Sequence, residues 1–467
     1  MLDGCFLTKK WNGRDIVFDS VNYRCQWDDS SAKWFYALDL WGDHETSERL
    51  LDTVFARQGQ RKPAGARTRE GCFSDVTNLE RDGSAASWAS GNGWALWAMA
   101  QHARLSGDRD WLARHKEAIL AGCDWIIRER GFSRETPDNP CAGLLYGKFV
   151  CDLPDQGQVC GVGYFTYTDA ISYLGLHQMG QLLTDWGHAE GARILTEAEA
   201  YRKDILAAVD KLTDKTRDPW FIPWMLHAPR HEDRYFYDVC GPINLAFAGV
   251  VPRTDERIAH VIRWIVEHEH GGSLEEAAAG RRHAPEGAMF YSQDLAVVLL
   301  QQGRVQDFQR IFYTLLSANV SHDTLTTCEW RRNTQPHIHS IASLMRMFRT
   351  MLVDERDGGL YLLSGVPLSW TNMGQVIEFR ELPTRYGPVS LLCSSQLYMR
   401  LVVVRGGPQL AGLPLSVRIP LPEGYRISRA YSRPAQILEI EGEWVRWEGH
   451  AGDITFHIEI DRASAPR

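Results

Sequence analysis

The sequence predicts a mainly α chain, with helical hairpins closing into an (α/α)6 toroid over residues 1–357 and a C-terminal antiparallel β-sandwich over 358–467. Three observations carry this. Glycine or proline turns recur, each ending an apolar helical segment and opening a more amphipathic one. Long polar stretches separate successive pairs. Near Gly358-Gly359 the apolar period changes from helical to alternating.

The hairpin turns are Leu40-Trp41-Gly42-Asp43, Leu105-Ser106-Gly107-Asp108, Asp185-Trp186-Gly187-His188, Val251-Pro252-Arg253-Thr254 and Gln302-Gly303-Arg304. The first member of each pair is apolar on all sides, as in Trp94-Ala95-Leu96-Trp97-Ala98-Met99-Ala100. A helix without a polar face is buried from both sides, which predicts an inner ring of apolar helices and an outer ring of amphipathic partners. Five hairpins and a helix from His337 to about Asp354 make six inner members. The irregular spacing excludes a short-period solenoid. Four long loops, Gln58–Ser87, Gly131–Tyr167, Asp214–Asp238 and Gly271–Glu286, each follow an outer helix and precede an inner one. They therefore gather at one end, the expected functional face. Beyond 358, the segments Leu360–Leu363, Gln375–Phe379, Leu397–Val404, Leu415–Ile419, Ile437–Ile440 and Ile454–Ile460 read as strands of a sandwich. That domain is either a carbohydrate-binding module or a body that packs on the barrel and stabilises it.

Composition narrows the function classes. With 44% hydrophobic and 24% charged residues, the 467-residue chain has the make-up of a water-exposed globular protein. A net charge of −8 without a basic stripe argues against nucleic acid as a partner. The start, Met1-Leu2-Asp3-Gly4-Cys5, has no apolar run of signal-peptide or membrane-spanning length, so no membrane partner and a cytoplasmic location are expected. The 10 cysteines form no CxxC pair and no zinc-type spacing, and no phosphate-cradling loop, dinucleotide fingerprint or nucleophile elbow is present. No metal or cofactor is expected. The 17 Trp, 16 Tyr and 17 Phe serve as core, as flat faces for pyranose rings, or as both, which makes an oligosaccharide or glycoside the expected partner.

Chemistry-bearing residues concentrate in Thr326-Thr327-Cys328-Glu329-Trp330, with Arg331 and Arg332 after it, and in Gln335-Pro336-His337-Ile338-His339-Ser340 at the start of the last helix. This loop and the His337–Ser343 segment resemble the general-base loop and last barrel helix of the six-hairpin glycosidase superfamily, closest to its α-L-rhamnosidase-like glycoside hydrolases. Thr384-Arg385-Tyr386-Gly387-Pro388-Val389-Ser390 resembles a turn of that family's β-domain. The resemblance implies that Glu329 is the catalytic base, although the Thr-Thr-Cys-Glu loop is one residue shorter than the family's. The family's acidic segment, which holds its general acid, is matched here by Asp19–Asp29, with an acid, an arginine and a tryptophan but no glutamate. A large β-domain usually precedes the family's barrel, and none is expected within these 467 residues.

Inverting glycoside hydrolysis needs a protonated carboxyl on the leaving oxygen and an ionised one that activates water across the ring. In the first long loop, Glu70 and Asp75 have aromatic and glycine neighbours, and partial burial there predicts the raised pKa an acid needs. Asp28 and Asp29 read as acceptors for substrate hydroxyls, or as a cap and first-turn acid of a helix from Ser30. Asp152 and Asp155 read as substrate ligands or turn formers, and Glu286 as a substrate ligand or a helix-start acid. His337 and His339 lack the four-residue spacing of a helical zinc pair and read as sugar-hydroxyl partners, or as one binder and one structural histidine. Trp27, Trp88 and Trp330 are candidate platforms, while Arg331, Arg332 and Arg69 suit a uronate carboxylate or the plain surface. The expected activity is inverting removal of a terminal sugar, an α-L-rhamnoside or a related deoxy or uronic sugar. A non-catalytic carbohydrate-binding barrel and a polysaccharide lyase are the alternatives.

Overall fold

The computed structural model describes residues 7–11, 13–21, 25–73, 88–148, 161–226, 240–269, 293–329, 336–449 and 452–463. A hairpin of β1 (Thr8–Trp11) and β2 (Arg14–Val17) comes first. Eleven α-helices follow among the described residues. The inner ones are α1 (Asp28–Leu40), α3 (Gly91–Ser106), α5 (Thr166–Asp185), α7 (Asn244–Phe247), α9 (Gln293–Gln301) and α11 (Ile338–Leu352). The outer ones are α2 (His44–Phe55), α4 (Arg109–Phe132), α6 (Gly191–Leu212), α8 (Glu256–Trp264) and α10 (Val305–Ala318). A two-stranded ribbon, β3 (Gly147–Lys148) with β4 (Val162–Gly163), lies between α4 and α5.

Short inner-to-outer turns come from local chemistry. Gly107, at φ +70, ends α3 in the left-handed conformation, and Asp108 then caps α4 by accepting from Trp111 N–H at 2.7 Å. Gly42 and Asp43 repeat the device between α1 and α2. Burial separates the two rings: twelve of the thirteen residues of α1 are buried, against five of twelve in α2. Each inner helix packs on the next, α1 on α3, α3 on α5, α5 on α7, α7 on α9, α9 on α11 and α11 back on α1, so the ring closes. At the α3–α5 crossing the backbones nearly touch. A Cβ on Gly175 would stand 2.4 Å from the Gly93 carbonyl oxygen.

The sandwich has two five-stranded sheets. One runs β12 (Glu439–Glu441), β13 (Trp444–Glu448), β10 (Pro414–Arg418), β6 (Gly359–Leu362), β5 (Val353–Arg356). The other runs β11 (Tyr425–Arg433), β14 (Ile454–Arg462), β9 (Met399–Gly406), β8 (Val389–Ser395), β7 (Val376–Leu382). Pairing is antiparallel except for β6 with β10, which is parallel. The strand β5 continues directly from α11 and pairs with β6, so the change of period at Gly358-Gly359 marks the turn of the first hairpin rather than a linker ahead of it. The last inner helix also ends at Leu352, and the first begins at Asp28 rather than Ser30. Trp27 takes the cap position with no side-chain cap bond, leaving Asp28 and Asp29 inside the first turn. No helix among the described residues is long and apolar enough to cross a membrane, and seven described cysteines are buried.

Candidate functional site

The inner helices all start at one end of the ring, where the long loops return. At that end, α11 begins with His337 in extended conformation, tied to the N-terminal segment by the Ser20–His337 bridge and by Ile338 N–H donating to the Asp19 carbonyl at 2.8 Å. The Glu329 loop is fixed from below. Asn319, the last-turn cap of α10, donates its amide to the Cys328 carbonyl at 3.1 Å and to the Glu329 carbonyl at 3.3 Å. The Ser340 hydroxyl also donates to the Cys328 carbonyl at 2.8 Å, and Thr327 donates to the His337 carbonyl at 3.0 Å. Glu329 is 6% exposed, so its carboxylate sits on a rigid loop in a nearly closed environment.

Around it lies a buried charged cluster. His337 Nε2 meets Asp19 Oδ2 at 3.0 Å, and both residues are buried. Burial disfavours the imidazolium of His337, but Asp19, and then Glu329 and Asp29, outweigh it and raise the pKa. His339 behaves oppositely. Burial first, then the charges of Lys33, His337 and Arg346, hold its pKa well below the ordinary value. Lys33 Nζ lies 2.8 Å from His339 Nε2, and an ammonium has only protons to give, so Nε2 is the acceptor and the proton of this neutral ring is on Nδ1. That nitrogen is 3.9 Å from Asp29 Oδ2. Burial raises the pKa of Asp29, Lys33 opposes the shift, and Asp19 adds to it. Asp29, raised by burial, and Glu329 both add to the negative field at His337, after Asp19.

The sequence-derived candidates fall into three groups. Glu329, Asp28, Asp29, His337, His339, Trp27 and Trp88 all sit at the N-terminal end of the inner ring. Trp27 and Trp88 stack on one another, ring centroids 4.4 Å apart at 9°, so each has one face already covered. Asp28 abuts the start of α3, where a Cβ on Gly91 would stand 2.3 Å from Asp28 Oδ2. Glu70 lies apart from this group. Its side chain is 75% exposed, and its own backbone N–H, together with the nearby Arg69 and Arg128, keeps the carboxyl below its usual range. The loop carrying it wraps the outer helix α4, with Thr68 bonded to Glu129, Gln58 to the Ala118 carbonyl and Arg128 to the Glu70 carbonyl. The premise of partial burial is not met, and Arg69 is likewise exposed. Asp75, Asp152, Asp155, Glu286, Trp330, Arg331 and Arg332 lie outside the described residues.

Several members of the cluster escaped the sequence reading. Lys33 is a lone cation in the apolar run Ala32-Lys33-Trp34-Phe35, and a charge inside an all-buried helix is a signal in itself. Asp19 reaches His337 across 318 residues, a pairing that spacing does not reveal. Gln293 and Asp294 open α9, where Asp294 holds Arg346 at 2.9 Å. Gln26 is fully buried, and neither of its amide atoms has a partner among the described residues.

For a metal, the described residues offer Asp39, His44 and His102. Asp39 Oδ1 accepts from both imidazoles at 2.8 and 2.9 Å, and Oδ2 from Ser47 at 2.9 Å, so hydrogen bonds already account for the group. It lies ten residues along α1 from Asp29, about 15 Å away by helix rise.

No protein-family model and no curated protein matches the sequence. Solved structures do. A Streptomyces avermitilis α-L-rhamnosidase complexed with L-rhamnose is similar over 95% of this chain and 39% of its own length, at 14% identity and TM-score 0.56. An α-L-rhamnosidase from Dictyoglumus thermophilum is similar over 91% of this chain and 46% of its own, at 12% identity and TM-score 0.52. The chain has the six-hairpin glycosidase fold with its β-sandwich, and spans less than half the length of these two enzymes. At such identities the likeness establishes the fold alone.

Proposed function

We propose that the protein is a glycoside hydrolase that removes a terminal sugar with inversion. The observation that carries this reading is the placement, at the loop end of the ring, of the nearly buried Glu329 with a buried Asp29 whose pKa burial raises, both adding to the charge that raises His337. In this reading Glu329 takes the proton of the attacking water and Asp29 protonates the departing oxygen, the division of labour that inversion requires. Asp29 replaces Glu70 as the acid because burial supplies the pKa shift that Glu70 lacks. Glu329 is in turn among the charges that raise the pKa of His337, after Asp19. Trp27, Trp88 and Gln26 are the neighbouring groups suited to a ring face and its hydroxyls.

The fold neighbours put α-L-rhamnosides first in the substrate panel, followed by other deoxy and uronic glycosides. Purified protein is incubated with aryl glycosides and oligosaccharides while product anomers are followed by NMR. Turnover with inversion is expected, falling about 10²- to 10⁴-fold in Glu329→Gln and in Asp29→Asn. Full activity in Glu329→Gln refutes the assignment. Unsaturated products absorbing in the ultraviolet turn the reading to a lyase, and saccharide binding without turnover turns it to a binding barrel.

A further inference from the structure

The opposite end of the inner ring, where the helices finish beneath the β-sandwich, holds a partly open cavity of about 170 Å³. It is lined by Tyr36 of α1, Gln101 of α3, Arg346 and Arg349 of α11, and Arg385 from the β7–β8 connection. Trp97, edge-on to Tyr36 at 4.8 Å, gives it one aromatic wall. A packed domain junction is normally filled by apolar side chains, whereas this one sets three guanidinium groups and two carboxyls, those of Asp354 and Glu355, among its apolar lining.

The charges do not balance pair by pair. Arg346 is held by Asp294 at 2.9 Å and Arg385 by Glu355 at 2.8 Å. Arg349, only 1% exposed, donates to the carbonyls of Val353 and Pro383, both at 2.5 Å, and has no carboxylate within ion-pair distance among the described residues. Its Nε is buried without a partner among them. The lining acids are Asp354, engaged by Gln301 at 3.1 Å and 3.4 Å from Arg356, and Glu355, held by Arg385; both favour the charged Arg349 through space, Glu355 the more, without an ion-pair contact to it. Cations also crowd one another, since Arg104, packed close by, is pushed down to about 10 by burial and then by the Arg385 charge.

We infer that this cavity is a second binding site, for a compact polyhydroxy carboxylate whose anionic group lies against Arg349 and Arg385 and whose hydroxyls meet Gln101 and Tyr36. A guanidinium lacking a carboxylate suits an oxyanion. The flanking amide and phenol supply donors and acceptors for hydroxyls. The volume limits the occupant to on the order of ten non-hydrogen atoms. Because Arg385 belongs to the sandwich and Arg349 to the last inner helix, the ligand bridges the two domains.

The test is calorimetric titration of the full chain with D-glucuronate and D-gluconate, with neutral D-sorbitol and inorganic phosphate in parallel. One-to-one binding of the sugar acids is expected, with none by sorbitol and weaker binding by phosphate. Arg385 is 41% exposed on a connection, so Arg385→Ala leaves the core intact and is expected to weaken binding about 10- to 100-fold, while Glu329→Gln leaves it unchanged. Tyr36→Phe, expected to weaken the sugar acids but not phosphate, keeps the test open should Arg385→Ala fail to fold. Three results of the titrations with wild type and cavity variants overturn the inference. They are no binding of either acid at millimolar concentration, binding undiminished in both cavity variants, and phosphate binding as tightly as the sugar acids. Binding lost in Glu329→Gln but kept in Arg385→Ala also overturns it, by moving the ligand to the other end of the barrel.

Discussion

Replacing Asp19 with Asn tests the electrostatic core of the proposed site. The Asp19 carboxylate lies 3.0 Å from His337 Nε2 with both groups buried. At an effective dielectric constant of about 20, a unit pair at that distance attracts by about 5–6 kcal/mol before desolvation is subtracted. Hydrogen bonds to charged groups retain about 1.5–3 kcal/mol net, which corresponds to about one to two pKa units. Asn keeps a carbonyl oxygen to accept from Nε2–H, so the neutral ring loses little and the imidazolium loses its nearest counter-charge. The raised pKa of His337 means that its stabilising contribution is fully present below the unfolded value of 6.5 and is lost as pH rises through the folded value. Asp19→Asn should therefore cost about 1.5–3 kcal/mol near pH 5.5 and clearly less near pH 9. Urea unfolding at the two pH values measures the gap, and NMR titration of the ring protons measures the pKa of His337. An equal stability loss at both pH values, or an unmoved His337 titration, refutes the reasoning.

Other consequences are equally measurable. Asn319→Ala removes the two amide hydrogen bonds that hold the Cys328 and Glu329 carbonyls, and should cost about 1–3 kcal/mol while lowering kcat more than it changes KM. Gly175→Ala drives a Cβ to 2.4 Å from a backbone oxygen and should destabilise by about 1–3 kcal/mol, whereas Gly131→Ala, in a helix with nothing within 4 Å, should stabilise by up to about 1 kcal/mol. Opposite shifts in the urea midpoint check the pair. The Asp169 carboxyl is raised to about 7, mainly by burial. Over pH 4 to 7 the folded state then binds more protons than the unfolded one, so stability should fall as pH rises through that window, and the slope should flatten in Asp169→Asn.

The helical hairpins were legible because their punctuation is local. Gly107-Asp108 ends one helix and caps the next wherever the pair sits, and the apolar run around Trp94 can only be buried. The strands Val389–Ser395, Tyr425–Arg433 and Trp444–Glu448 were not read, nor was the N-terminal hairpin. Tyr425–Arg433 shows why: it carries four arginines and serines among its exposed positions and a register shift between Ile427 and Arg429, which blur the alternation. At the site, Glu329, His337 and His339 stood out as functional residue types crowded into one loop and helix start. Glu70 stood out equally, because sequence shows a loop's composition and not the side of the barrel on which it runs.

The amino-acid sequence by itself determined where the helical hairpins turn and which helices are inner and which outer, since each follows from periods and caps only a few residues long. Tertiary structure alone decided which carboxyl is buried beside Lys33, which imidazole is paired with Asp19, and which guanidinium is left without a carboxylate. Desolvation and Coulomb attraction depend on distances through space, and those are set by the closure of a ring whose first and last inner helices meet more than 300 residues apart.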